Sequence, residues 1–484
     1  MKYTMKKTDS AWSDKVHEEC GVFGIYVNEK DNYSPAHCAY SALFALQHRG
    51  QEACGIAVND NGVISCHKDT GLVNDVFDQQ RLDRMPGNMA IGHVRYSTTG
   101  EPVRENAQPI NITHVKGNMA VAHNGNLVNA MELRREVELA GGIFRSSSDT
   151  EVLTYIIVRE RLKSRSIEEA VLQAMHVIKG AYSLVIMSPR KLIAARDPKG
   201  FRPLCLGKLD NSYVFASESC ALDAIGAAFI RDIAPGEVCV VENGELRSMH
   251  CGIQTEPAPC IFEYIYFARP DSVIDGASVE MARQEAGRYL AMEHAVEADI
   301  VIGVPDSGIP AAIGYAKHSG IPYGVGLIKN RYIGRTFIQP GQKKRESSVK
   351  IKLNALKDAV DGKRVIMVDD SIVRGTTCAR IVNLLREAGA KEVHMRISAP
   401  PFRHPCFFGT DIPDRGQLLA HNRTVEEMRQ IIGVDSLGFL SLEATEKIAV
   451  GANCGFCSGC FSGKYPIPVP ERVEKNMFES RIVK

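Results

Sequence analysis

The sequence predicts two successive folds in one chain: an α+β domain on a largely antiparallel sheet, then an α/β domain with a parallel, doubly wound sheet. Three observations predict it. From residue 20 to about residue 256, short strand-like runs follow one another with few helices between them, and Asn59-Asp60-Asn61-Gly62 joins two of them as a hairpin turn. Beyond that, helical and strand-like patterns alternate, as crossover connections in a parallel sheet require. Thr255-Glu256-Pro257-Ala258-Pro259 lies between the two patterns and is read as the joint. A chain of 484 residues is long enough to bury a core on each side of it.

Residues 1–19 are polar and without period, and include the only tryptophan, Trp12. Strands are then predicted at Gly21 to Val27, Gly55 to Val58, Val63 to His67, Ala90 to Tyr96 and Met119 to His123, with an apolar-striped helix at Pro35 to Gln47. Helices follow at Thr150 to Leu162 and at Ile167 to Ile178, the second with Ser166 and Glu169 at capping-box spacing. Strands return at Ala181 to Met187 and Tyr213 to Ser217. In the second domain a helix near Val279 to Val296 precedes a strand at Ile300 to Val304 and a helix from Pro310. The run Val365 to Val368 reads as a buried strand, Cys378 to Ala388 as a helix stopped by Gly389, and Glu392 to Ile397 as the next strand.

Composition excludes several classes. With 58 basic and 57 acidic residues the formal net charge is +1, so there is no global field for nucleic acid or a membrane surface. No apolar run is long enough to span a bilayer, and residues 1–19 lack the apolar stretch of a signal peptide. Asp9, Asp14, Glu18 and Glu19 in that segment also argue against an organellar transit peptide. The expectation is a cytoplasmic protein, whose 14 cysteines are thiols, metal ligands or nucleophiles rather than disulfides.

The most informative stretch is Val365 to Thr377. A buried strand ends in Asp369 and Asp370, and Ser371-Ile372-Val373-Arg374-Gly375-Thr376-Thr377 then opens a helix. Backbone N–H groups at a helix start suit a phosphate. Two carboxylates would repel one but accept hydrogen bonds from neighbouring sugar hydroxyls, so a 5-phosphorylated ribose satisfies both halves. A buried strand ending in a polar turn is the plainer alternative, and the absence of a Walker lysine argues against a nucleoside triphosphatase. The stretch resembles the ribose-phosphate signature of type I phosphoribosyltransferases, which act on phosphoribosyl pyrophosphate with magnesium. Upstream, Ile302-Gly303-Val304-Pro305-Asp306-Ser307-Gly308-Ile309-Pro310 resembles the pyrophosphate loop of the same enzymes, with the N–H groups of Asp306, Ser307 and Gly308 facing the leaving group. By that resemblance Ser307, Asp369 and Asp370 lie around the magnesium. The cationic segment Lys329 to Leu353, between the two loops, is read as a lid.

In the first domain, Cys20 opens a strand within His17-Glu18-Glu19-Cys20-Gly21, a position that by itself suits a small core residue. Three further segments change that reading. Arg95-Tyr96-Ser97-Thr98 ends a strand in a fork suited to a carboxylate, and His123-Asn124-Gly125-Asn126 offers an amide and a glycine N–H, the two donors of an oxyanion hole. Ser146-Ser147-Ser148-Asp149 is a helix cap that also presents a carboxylate. Together they resemble the N-terminal-nucleophile glutamine amidotransferase domain, an αββα sandwich. The resemblance implies that residues 1–19 are a propeptide whose removal frees the Cys20 α-amine as general base. It further implies that Asn124 and Gly125 stabilise the oxyanion, that Arg95, Tyr96, Ser97, Thr98 and Asp149 bind glutamine, and that Arg49 and Gly50 belong to a loop closing over it.

The two domains in this order resemble the glutamine phosphoribosylpyrophosphate amidotransferase family over nearly the whole chain. The implied division is a propeptide (1–19), a glutaminase domain (20–256), a transferase domain (257–470) and a tail (471–484). Lys329, Arg331 and Tyr332 match that family's catalytic loop. The implied products are 5-phosphoribosylamine, glutamate and pyrophosphate, with purine nucleotides as feedback inhibitors and a homotetrameric assembly. Cys454-Gly455-Phe456-Cys457-Ser458-Gly459-Cys460 signals a metal centre, and spacing alone does not separate zinc from iron–sulfur. Resemblance to one branch of the family implies a [4Fe–4S] cluster on Cys260, Cys406, Cys457 and Cys460, with no counterpart for Cys454. Two alternatives are a glutamine-dependent enzyme with another acceptor, such as a sugar-phosphate aminotransferase or an asparagine synthetase, and a regulator that senses phosphoribosyl pyrophosphate. The acidic ribose loop argues against the first and the lack of a basic helix-turn-helix against the second.

Overall fold

Alternation along the first strand feeds two cores at once. In Gly21–Tyr26, Val22 packs with Ile91, Ala122 and Val185 between two sheets, while Phe23 and Ile25 point outward to Ala39, Ala42 and Leu43 of the helix Pro35–Ala45. The computed structural model describes residues 20–96, 103–330, 353–410, 412 and 415–470. The expected antiparallel sheet is two sheets face to face. One has seven strands in the spatial order Ala228–Asp232, Cys205–Leu209, Ser212–Ala216, Gly21–Tyr26, Met89–Arg95, Ala53–Asp60, Val63–Thr70. The other has six: Glu245–His250, Glu237–Glu242, Lys191–Arg196, Gly180–Met187, Gly117–Leu127, Ile110–His114. Helices Ala130–Leu139, Asp149–Lys163 and Ile167–Val177 bury their apolar faces on its outer side, completing an αββα sandwich. At Gly24 a Cβ would lie 2.5 Å from Val185 Cγ1, so the two sheets approach where the strand has no side chain.

The second domain carries a four-stranded sheet, parallel throughout, in the order Ile300–Gly303, Arg364–Asp369, Glu392–Ile397, Ser436–Phe439. Helices Val279–Glu293 and Gly308–Ser319 cross at two glycines: a Cβ on Gly287 would lie 1.9 Å from the Ala311 carbonyl, and one on Gly314 would lie 1.9 Å from that of Gln284. That close crossing seats the start of the second helix beside the carboxyl ends of the strands. The helix begins at Gly308, two residues before the expected Pro310, because a first-turn proline gives up no intrahelical bond. The helix after the acidic pair starts at Thr376, with Gly375 at φ +83° as its cap. A one-turn π-helix, Glu263–Phe267, follows the joint, and Arg283 donates to the carbonyls of Tyr264, Tyr266 and Ala268 at 2.9, 2.9 and 2.7 Å. The domains meet in a small aromatic cluster in which Phe201 stacks on Phe408 with centroids 4.2 Å apart.

Candidate active sites and thiol centre

Cys20 is buried at the mouth of its strand, and its Sγ lies 3.4 Å from the Tyr96 carbonyl oxygen. Gly21 pairs with Val94, so strand register alone brings Cys20 beside Arg95 and Tyr96. Gly50 packs on the same strand end, where a Cβ would lie 2.6 Å from the Arg95 nitrogen. Thus Cys20, Gly50, Arg95 and Tyr96 converge, whereas Ser97 and Thr98 lie outside the described residues. Arg49 differs from the expectation of a loop closing over substrate. It is fully buried and points inward, its Nε donating to the Cys20 carbonyl at 3.2 Å and its Nη atoms to Glu218 and Glu263 at 2.5 and 2.7 Å.

The oxyanion candidates sit within a strand rather than after one. Gly117–Leu127 runs through Asn124 and Gly125, which pair with Ser183 and Tyr182. Gly125 has φ +143°, and a Cβ there would lie 2.1 Å from the Ala181 carbonyl, so only glycine fits. Asn124 is fully buried, and neither its Oδ1 nor its Nδ2 has a hydrogen-bond partner among the described residues. An unpartnered buried amide is costly and rare, and it marks a place where a ligand atom completes the bonding. His93, on the strand paired with Val22, donates from Nε2 to the His123 carbonyl at 3.0 Å, joining the strand end beside Cys20 to the one bearing Asn124. Burial pushes the His93 pKa down to about 3, so the ring is neutral. Ser148, not Asp149, caps the helix: its hydroxyl accepts from the Thr150 N–H, while Asp149 Oδ2 accepts from the Leu127 N–H at 3.0 Å.

In the second domain, Asp369 and Asp370 are buried at the end of Arg364–Asp369. The Asp370 carboxylate joins the two expected loops, because Ser307 donates to its Oδ2 and Ser371 to its Oδ1. Of the three N–H groups expected to face pyrophosphate, that of Gly308 is taken by the Val304 carbonyl at 3.0 Å; those of Asp306 and Ser307 have no backbone acceptor among the described residues. Gly308 supplies space instead, since a Cβ would lie 2.5 Å from the Val368 carbonyl. Lys329 reaches Asp306 Oδ2 at 2.7 Å, and Arg374 donates to Gln417 Oε1 at 2.9 Å. Gly375, Thr376 and Thr377 form the helix entry. Arg331 and Tyr332 lie outside the described residues, as does most of the expected lid.

Cys260, Cys406, Cys457 and Cys460, drawn from three separate stretches of chain, line one cavity with Phe201, Arg202, Phe262, Phe408, Ile412 and Tyr465. Backbone pairing of Cys260 with Cys457 ties the joint to the tail, and the Arg403 and His404 N–H groups both reach the Cys460 carbonyl at 3.1 Å. Burial pushes the Cys457 thiol up to about 12, with Cys406 adding to it. Four thiols held together, whose burial outweighs the nearby Arg202 guanidinium and keeps Cys457 protonated, fit a group that replaces their protons. Cys454 does not line this cavity; its electrostatic neighbours are Asp275 and Arg196. Among the described residues, no three His, Cys, Asp or Glu side chains are grouped as for one metal ion.

One cluster has no counterpart in the sequence expectations. Arg49, Arg202, Glu218 and Glu263 form a buried network of two guanidinium and two carboxylate groups, with His48 Nε2 at 2.7 Å from Glu218. Burial raises the Glu218 pKa, but His48 and Arg49 outweigh it and hold the carboxyl well below its usual range. No sequence signal marks this pairing, because the partners stand far apart in the chain and follow no period.

The pattern of a glutamine amidotransferase domain matches residues 93–224, and that of a phosphoribosyl transferase domain matches residues 282–401. The chain is 49% identical over 460 residues to the amidophosphoribosyltransferase of Bacillus subtilis, covering 94% of this chain and 95% of that one. It is 50% identical over 453 residues to the enzyme of the same name from Archaeoglobus fulgidus, covering 93% and 98%. Among solved structures, the glutamine phosphoribosylpyrophosphate amidotransferase from B. subtilis complexed with ADP and GMP superposes with a TM-score of 0.87 at 48% identity, over 93% of this chain and 98% of that one. A structure described as the allosteric regulatory enzyme of purine biosynthesis superposes with a TM-score of 0.89 at 47% identity, over 96% and 100%.

Proposed function

Because the chain belongs to the amidophosphoribosyltransferase family, we propose from that premise how its residues divide the work of one two-part reaction. The enzyme hydrolyses glutamine and passes ammonia to phosphoribosyl pyrophosphate, giving 5-phosphoribosylamine, glutamate and pyrophosphate, the first step of purine synthesis. Residues 20–256 carry the hydrolysis and 257–470 the transfer. Cys20 attacks the glutamine amide, the developing oxyanion takes hydrogen bonds from Asn124 and the Gly125 N–H, ammonia leaves as the thioester forms, and water then cleaves the thioester to release glutamate and the thiol. The observation that carries this is the Asn124 amide, buried without a partner beside a glycine that no other residue can replace. Arg95 takes the substrate carboxylate, with Tyr96, Ser97 and Thr98 around it, and Asp149 Oδ1 takes the ammonium. Arg49 holds the Cys20 backbone from behind rather than touching glutamine.

Ammonia then adds to the anomeric carbon of the ribose as pyrophosphate departs. Asp369 and Asp370 receive the ribose hydroxyls and, with Ser307, would hold the magnesium; Ser371 to Thr377 take the 5-phosphate and Asp306, Ser307 and Lys329 the pyrophosphate, with Arg331 and Tyr332 assigned to the same substrate by their match to the family's catalytic loop. The assay that tests the reading supplies glutamine, magnesium and phosphoribosyl pyrophosphate: glutamate and pyrophosphate are expected in equal amounts. Glutamate without pyrophosphate would mean a different acceptor, and substrate binding without turnover a sensor.

Two further parts belong to the same reading. Residues 1–19 are a propeptide, so the active protein is expected to begin at Cys20 by intact mass, and a fully active chain that retains Met1 overturns this. Cys260, Cys406, Cys457 and Cys460 hold an iron–sulfur cluster that staples the joint, the transferase domain and the tail. Anaerobically purified protein is expected to be brown and to contain iron and acid-labile sulfide; zinc in equal molar amount without sulfide refutes it. Purine nucleotides as inhibitors, a homotetramer and a cytoplasmic location complete the proposal. Among the described residues no helix is long and apolar enough to cross a membrane.

A further inference from the structure

We propose that Glu263 is a positioning residue of the glutamine site, through which the second domain sets both the nucleophile and the oxyanion turn. Its carboxylate is buried between two guanidinium groups. Arg49 donates to it at 2.7 and 3.0 Å while its Nε holds the Cys20 carbonyl, and Arg202 reaches it at 3.3 Å. Arg202 in turn donates to the Phe408 carbonyl at 2.6 Å and to Thr410 Oγ1 at 3.2 Å. The segment so held lies against the oxyanion turn: Asn126 Nδ2 donates to the Phe407 carbonyl at 2.9 Å, and a Cβ on Gly409 would lie 3.2 Å from Gly125 Cα. Glu263 is itself anchored in the second domain, because it opens the π-helix whose carbonyls Arg283 bonds. One carboxylate therefore stands between the two cations that fix opposite sides of a single reaction centre. A buried ion pair is weak evidence for stabilisation by itself. The specific observation is where its outer donors end, on the backbone of Cys20 and on the segment against Gly125 and Asn126.

The proposal rests on Cys20 as the nucleophile and on Asn124 and Gly125 as the oxyanion donors. Wild-type protein that releases no glutamate from glutamine overturns that assignment and this proposal with it; the variants below judge the positioning role alone. In Glu263→Gln the side chain keeps its size and loses its charge. The expected result is a glutamine-dependent kcat lower by on the order of 100-fold, as for donors displaced by about 1 Å, with KM for glutamine within about twofold. Inhibition by the γ-aldehyde analogue of glutamate, which adds to the cysteine and places an oxyanion in the hole, should weaken by a similar factor. Synthesis from ammonium salts should stay within about twofold of wild type, since that half does not use Cys20. Unchanged kcat and aldehyde inhibition in folded protein overturn the proposal, and so does a parallel loss of glutamine- and ammonia-dependent synthesis, which marks a merely structural role. If Glu263→Gln does not accumulate, Thr410→Val, which removes one Arg202 contact, is expected to shift kcat and aldehyde inhibition together by about threefold with KM unchanged. No shift in that variant overturns it as well.

Discussion

Cys20→Ala is expected to lower glutamine-dependent synthesis by at least about 10⁴-fold while leaving synthesis from ammonium salts at high pH within about twofold of wild type. The proposal gives the covalent intermediate to the Cys20 thiol, and the methyl group of alanine offers no nucleophile in its place. The site proposed at the carboxyl ends of the parallel strands would take ammonia as it comes, provided the pH leaves enough of it unprotonated. Cys20 is buried at a strand end where Gly21 pairs with Val94, so the smaller side chain leaves the sheet register intact. Parallel measurements of glutamate, pyrophosphate and phosphoribosylamine check the result. Loss of both activities in folded protein would show that the two halves do not divide as proposed.

The reverse result is expected from Asp369→Asn combined with Asp370→Asn: synthesis from either nitrogen source falls by on the order of 10³-fold while some glutaminase activity persists. Asp370 joins the loop around Ser307 to the loop that begins at Ser371 by accepting from both hydroxyls, and an amide can accept on one side only. The Arg283 guanidinium also loses the Asp370 charge that favours its own charged form against burial. The change therefore removes the acceptors proposed for the ribose hydroxyls and loosens the junction between the two loops. The glutamine site stands on other strands and other charges, so glutamate release is the control. A double variant that keeps wild-type synthesis overturns the ribose assignment.

Legibility in the sequence followed the range of the forces involved. Val365 to Val368 could be read because a strand buried on both faces is a continuous apolar run, and the helix after it because glycine and threonine open it. The Asn243-Gly244 hairpin, with φ +53° and +77°, carried the same turn signal as Asn61-Gly62 and was there to be found. Asn124 and Gly125 read as a loop because both are poor strand formers, yet pairing with Gly180–Met187 carries the strand through them. The inward turn of Arg49 was not legible, since its partners Glu218 and Glu263 lie 169 and 214 residues away. Nor did spacing alone reach the four cysteines: it marked the run from Cys454 to Cys460, the family resemblance supplied Cys260 and Cys406, and the fold brings the three distant stretches to one cavity.

The same distance sets a limit on how this chain could be recombined. A first domain cut at the joint would carry Arg49 and Arg202 in its interior and leave the Glu263 carboxylate behind on the other piece. Grafted onto a different acceptor enzyme, it would need a new anion at that point in space, delivered by a turn of the right length. Glutaminase modules that serve other acceptors should therefore either bring such a carboxylate with their partner or lack the two arginines, and a survey of fused and free-standing modules can decide between these. Here the border between domains is a place where one half lends the other a charge.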